Sequence, residues 1–133
     1  MARIFSLSEA ASIAIHSMIL IAKSDQMVNV LQISEVTGSS KHHVAKVLQR
    51  LVKDGYLNST RGPSGGFTLK RDASEINLLQ IYEAIEGKIE VTDCPMDNDI
   101  CPFNKCLMGG VIGKMTKSFR EYLESNSIES FLE

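Results

Sequence analysis

The stretch Leu31-Gln-Ile-Ser-Glu-Val-Thr-Gly38-Ser-Ser-Lys41-His-His-Val-Ala-Lys-Val-Leu-Gln-Arg-Leu-Val-Lys-Asp-Gly55-Tyr-Leu-Asn-Ser-Thr-Arg61-Gly-Pro-Ser-Gly-Gly66-Phe-Thr-Leu69 decides the fold. Its apolar residues predict a brief helix over Leu31–Val36, with Gly38 placed as the left-handed residue that closes it. Ser39 or Ser40 then caps a second helix, which sets Val44, Val47, Leu48 and Leu51 on one face and ends at Gly55. Two short β-prone runs follow, Tyr56–Thr60 and Phe67–Leu69, separated by Arg61-Gly62-Pro63-Ser64-Gly65-Gly66. A Gly/Pro turn between such runs predicts a β-hairpin. Two helices joined by a short Gly-containing turn and followed by a hairpin make a winged helix-turn-helix.

Charge points the same way. The chain of 133 residues has a formal net charge of -2. Between Lys41 and Arg71, however, seven Lys/Arg face a single acid, Asp54, whereas the other 102 residues hold seven basic and fifteen acidic groups. One basic segment inside an acidic protein is an electrostatic footprint for phosphate. The second helix would enter the major groove of DNA by its N-terminal end. That end and its basic face offer Ser40, Lys41, His42, His43, Lys46 and Arg50. At the hairpin tip, Arg61, Gly62, Ser64 and Gly65 are candidates for a close approach to the minor groove, where an Arg is attracted into a narrow site.

Upstream, Ser6-Leu7-Ser8-Glu9 fits a capping box with Ser6 as the cap, and Ala11, Ala14, Ile15, Met18, Ile19 and Ala22 predict a helix ending near Lys23–Asp25. Its apolar run Ile13–Ala22 is broken by His16 and Ser17 and is short of the ~20 residues a membrane span takes, so it reads as a buried helix. With no secretory signal pattern, a cytoplasmic, membrane-free protein is expected. Downstream, a helix is predicted over Leu78–Glu86, closed by Gly87, and another from about Leu107 to Leu123, followed by a tail with Ile128, Phe131 and Leu132.

Between those helices lie the three cysteines, Cys94, Cys101 and Cys106, spaced C-x6-C-x4-C. An odd, clustered set in a reducing compartment suggests metal or redox chemistry rather than a disulfide framework. Soft thiolates suit iron–sulfur clusters, zinc or copper(I), and the absence of C-x2-C lowers the case for structural zinc. Three thiolates leave one position for another donor: Asp93, Asp97 and Asp99 are local, and Glu9 and His16 on the first helix are alternatives. No nucleophile–base pairing or phosphate-cradling loop is evident, so an enzyme is not expected.

The chain resembles, from end to end, the Rrf-two family of bacterial winged-helix regulators. The resemblance is carried by Gly55-Tyr56-Leu57, by Arg61-Gly-Pro-Ser-Gly-Gly-Phe-Thr-Leu69, by Ile76-Asn-Leu-Leu-Gln-Ile81 running to Glu86-Gly87, and by the three cysteines. It implies a mainly α fold with a small β-hairpin wing: a winged helix-turn-helix domain over 1–87, a cluster-binding loop over 88–106, and a dimerisation helix with its tail over 107–133. It further implies a homodimer whose Cys94, Cys101 and Cys106 hold a 2Fe–2S or 4Fe–4S cluster. The position three after Cys106, where some relatives carry a His ligand, is Gly109. Ser12 stands where others carry Asp or Glu on the partner's first helix, which leaves His16, contributed by the partner subunit, as the candidate fourth ligand. The family's usual spacing is nearer C-x5-C-x5-C. The resemblance thus implies a transcription regulator, usually a repressor, whose DNA affinity follows a cluster sensing redox state, nitric oxide or cluster supply. The alternatives are the same regulator working through zinc or thiol oxidation, and an electron-transfer or cluster-carrier protein.

Overall fold

The computed structural model describes residues 1–92 and 102–133. Five helices and one hairpin follow in order: α1 (Glu9–Lys23), α2 (Val30–Thr37), α3 (Lys41–Lys53), β1 (Leu57–Thr60), β2 (Gly66–Leu69), α4 (Leu78–Glu86) and α5 (Val111–Ser125). Short 3-10 turns at Ala73–Glu75 and Ile128–Phe131 pack on each other and close the base. The architecture is the expected one, mainly α with a two-stranded antiparallel wing.

α1 is the centre of the core. Ala11, Ala14 and Met18 are fully buried and Ile13 nearly so, against Ile33 of α2, Val44, Leu48 and Leu51 of α3, and Ile81 of α4. The small alanines let α1 lie close to both α3 and α4. Helix ends are set by local chemistry. Asn29 and Asn77 each form a capping box with a Gln three residues on, at 2.8 and 2.9 Å in both cases. Gly38 takes the left-handed conformation, φ 73°, at the end of α2, as the sequence predicts.

Two boundaries differ from the sequence reading. Ser8, not Ser6, caps α1: its Oγ accepts the Ala11 N–H at 3.0 Å and donates to the Glu86 carboxylate at the end of α4. Glu9 therefore does not reach back to close a box and is bonded elsewhere. α5 begins at Val111 rather than near Leu107, because Gly109 and Gly110 both have positive φ, 61° and 71°, and a right-handed helix cannot run through them. The tail returns to the body, with Ile128 N–H donating to Ile76 O at 2.8 Å and the Ile128 side chain fully buried.

The wing is more than a hairpin. Val28, just before α2, exchanges both backbone hydrogen bonds with Phe67 of β2, at 2.8 and 3.2 Å. This bridge ties the wing to the start of the helix-turn-helix. It also explains Gly66, where a Cβ would lie 2.8 Å from the Val28 oxygen and 3.1 Å from the Met27 Cβ. Gly66→Ala is therefore expected to destabilise the fold by about 1–3 kcal/mol, the usual cost of forcing atoms into a packed site. Urea unfolding of the two proteins checks it, and a midpoint equal to wild type would show that the bridge yields without cost.

Candidate DNA-reading face and cysteine region

α3 presents the candidate DNA-reading surface. Ser40 is its N-cap, with Oγ accepting the His43 N–H at 3.1 Å. Val44, Val47, Leu48 and Leu51 are buried, while Lys41, His42, Lys46 and Arg50 are exposed. His42, Lys46 and Arg50 are spaced four apart and so fall on one stripe of the helix. Arg50 lies about 14 Å along the axis from Lys41 at 1.5 Å per residue, suited to a phosphate rather than to the bases at the helix tip. Its Nε is 3.7 Å from Asp54 Oδ2, an exposed pair of little energetic weight.

His43 differs from its neighbours. It is half-buried, and its Nδ1 lies 3.1 Å from Glu9 Oε1 on α1. Residue order along α3 predicts a DNA contact here, but the tie to Glu9 joins residues 34 apart and leaves no trace in a local pattern.

At the wing tip Arg61, Gly62, Pro63 and Ser64 are exposed, and Gly62 has φ 109°. Gly65 sits inside the turn: its N–H donates to Gly62 O at 2.9 Å, and a Cβ would fall 2.1 Å from Thr60 O. Its glycine is thus required by the turn itself, whatever approaches from outside. At the wing's base the Arg71 guanidinium lies over the Tyr56 ring, 4.8 Å from its centroid, so this cation packs on the protein's own surface.

Of the cysteines, Cys94 and Cys101 lie outside the described residues. Cys106 is exposed, just ahead of the Gly109–Gly110 turn into α5. Among the described residues no three His, Cys, Asp or Glu side chains converge as a metal site. On α1, His16 is exposed and its Nδ1 lies 2.7 Å from Ser12 O. A carbonyl oxygen only accepts, so the proton is on Nδ1 and the lone pair on Nε2. Ser12, Glu9 and His16 line one groove together with the Thr37–Ser39 turn of the helix-turn-helix. A second, apolar groove runs along α5 between Phe5, Tyr82, Met115 and Phe119, where the Phe5 and Phe119 rings meet with centroids 4.8 Å apart, tilted by 59°. Burial, and next the Glu86 carboxylate, push the Tyr82 hydroxyl above its ordinary range, so it stays neutral there.

Residues 7–133 match the family described as "Rrf2: Iron-dependent Transcriptional regulator". The chain belongs to the Rrf2 family. It is 28% identical over 128 residues to the HTH-type transcriptional regulator IscR of Photorhabdus laumondii subsp. laumondii, covering 96% of this chain and 74% of that one. It is 31% identical over 113 residues to the HTH-type transcriptional regulator NsrR of Oceanobacillus iheyensis, covering 83% and 77%. Its fold superimposes on CymR (YrzC), the global cysteine regulator of B. subtilis, with a TM-score of 0.76 at 20% identity over 96% and 95% of the two chains. This Rrf2 protein is a DNA-binding transcription regulator with a winged-helix fold. Among its described residues no helix is long and apolar enough to cross a membrane.

The side chains at the tip of α3 depend on the Ser40 cap. Ser40→Ala is expected to cost about 1 kcal/mol of stability and Ser40→Gly only a few tenths, the usual ranking for a lost N-cap. Thermal unfolding of the two variants checks this, and an Ala variant as stable as wild type would contradict the cap's role.

Proposed function

We propose that this Rrf2 protein is a homodimeric repressor whose affinity for promoter DNA is set by an iron–sulfur cluster held at Cys94, Cys101 and Cys106. The observation that carries the cluster is His16. An exposed imidazole with Nδ1–H bonded to its own helix keeps Nε2 basic and the ring oriented, the arrangement of a histidine that ligates metal. Glu9 is less suited to that role, since its carboxylate is engaged by His43. His16 from the partner subunit would complete the set begun by the three thiolates. When bound, the cluster would supply a redox- and ligand-sensitive centre. The protein's own part would be to hold it by the cysteines ahead of α5 and by His16 of the partner subunit, so that its state would bear on α1, the helix packed against α3.

The dimer is supported by α5. Val111, Met115 and Tyr122 are exposed along it, with Leu107 and Met108 just ahead, an apolar surface that a second copy would cover. DNA binding is assigned to Ser40, Lys41, His42, His43 and Lys46 at the tip of α3, to Arg50 further along it, and to Arg61, Gly62, Ser64 and Gly65 at the wing. Gly65 acts there by shaping the turn. The departure of the cysteine spacing from the family pattern bears on the geometry of the cluster, and zinc or thiol oxidation at the same cysteines is the alternative reading.

Anaerobic reconstitution followed by native mass spectrometry and iron and sulfide analysis separates the readings. A dimer carrying iron and sulfide is expected, with Cys106→Ala losing most of both. Iron-free, colourless protein, or a full cluster in the Cys106 variant, overturns the cluster assignment. For the DNA face, Arg61→Ala is expected to lower the slope of log affinity against log salt by about 1, as the loss of one phosphate contact does. An unchanged slope would remove Arg61 from the interface.

A further inference from the structure

We propose that Glu9 is a positioning residue for DNA recognition: it fixes the ring and the tautomer of His43, so that His43 presents a hydrogen-bond acceptor to a base edge. The inference rests on the reading above that the first turn of α3 faces the major groove.

The chemistry follows from one contact. Glu9 Oε1 and His43 Nδ1 are 3.1 Å apart. An ionised carboxylate only accepts, so the shared proton is on Nδ1. In the neutral imidazole the lone pair then resides on Nε2, the nitrogen left for the DNA. An acceptor there matches the exocyclic amino groups that adenine N6 and cytosine N4 present in the major groove, and it does not match guanine, which presents the acceptors N7 and O6. A free histidine would divide its population between two tautomers and several rotamers. One held by a carboxylate offers a single pattern and loses less entropy when DNA arrives.

Glu9 is suited to act as that support because it is itself anchored. It is the first residue of α1, where a negative charge is favoured by the free N–H groups of the helix end. The preceding Ser8 is bonded on two sides, accepting from Ala11 N–H and donating to the Glu86 carboxylate at the end of α4. Glu86 is followed by the chain leading to the cysteines, in which Ile89 N–H donates to Glu83 at 2.8 Å. The support for His43 therefore stands on α1 and, through Ser8, on α4, the helix that precedes the cysteine region. Stability does not explain the pair. Its side chains are 36% and 62% exposed, and a hydrogen-bonded pair so open to water contributes little to folding.

The test uses the full-length chain and a duplex selected by the wild-type protein from a randomised library. Glu9→Ala, Glu9→Gln and His43→Ala are compared for affinity, for base preference at each position, and for the His43 tautomer by nitrogen-15 NMR. Glu9→Ala is expected to weaken binding about three- to tenfold, part of what one base contact carries, and to relax preference at one base pair per half-site. His43→Ala should relax the same base pair. Glu9→Gln keeps an acceptor for Nδ1–H and should retain the tautomer and affinity within about twofold, which a purely charge-based or structural role would not predict. If His43→Ala binds like wild type, the base-contact reading fails and the inference with it. If His43→Ala is weakened but Glu9→Ala keeps wild-type tautomer, affinity and preference, only the positioning role is overturned.

Discussion

The close packing of α1 against α3 and α4 is the constraint on which the rest of this molecule depends. Ala11, Ala14 and Met18 have no exposed surface, and the side chains they meet on α3 and α4 are equally covered. Ser17 in the same row is also fully buried, and its hydroxyl finds no hydrogen-bond partner among the described residues. A small side chain is tolerated at that cost because a larger one would push the helices apart. From this fixed helix project Ser8 toward α4, Glu9 toward the tip of α3, and His16 on the exposed side. His16, proposed to complete the sensing centre, and Glu9, proposed to support a reading residue, are thus mounted on one helix.

The wing is held by the same logic at backbone level. A two-stranded ribbon is weak alone. The Val28–Phe67 bridge adds a third pairing, and Gly66 makes room for it, so that Arg61 at the tip has a defined place relative to Lys41 and Lys46. Charge supports the arrangement from further away. The basic groups of α3 and the wing stand in a protein that is otherwise acidic, so the field favours DNA at that face and disfavours it elsewhere. Affinity built this way is steeply salt-dependent, while discrimination between sequences rests on the few side chains that reach base edges.

The fold was legible where punctuation is local. Gly38, Ser40, Gly87 and the Gly/Pro-rich turn mark ends that neighbouring residues alone decide, and the apolar faces of α1, α3 and α4 read directly from their period. Structure departs from local pattern where distant partners decide. Ser6-x-x-Glu9 looks like a capping box, but Glu86 engages Ser8 and His43 engages Glu9, and both partners are far along the chain. The start of α5 departs from the apolar pattern because two consecutive glycines with positive φ outweigh it. The Val28–Phe67 bridge has no local signature at all. The cysteines were visible as a set through their spacing, whereas His16 entered through family resemblance. What structure adds to His16 is its hydrogen-bonding state, fixed by the Ser12 carbonyl.

The state of the cysteine centre is proposed to control the affinity of the α3 and wing surface for DNA. Its most direct test is the dissociation constant for one selected duplex, measured anaerobically at fixed salt, for reconstituted protein and for the same protein stripped of metal. The two are expected to differ by about five- to 150-fold, the range of typical coupling between sites. Equal affinities, with the cluster present in one sample and absent in the other, would contradict it.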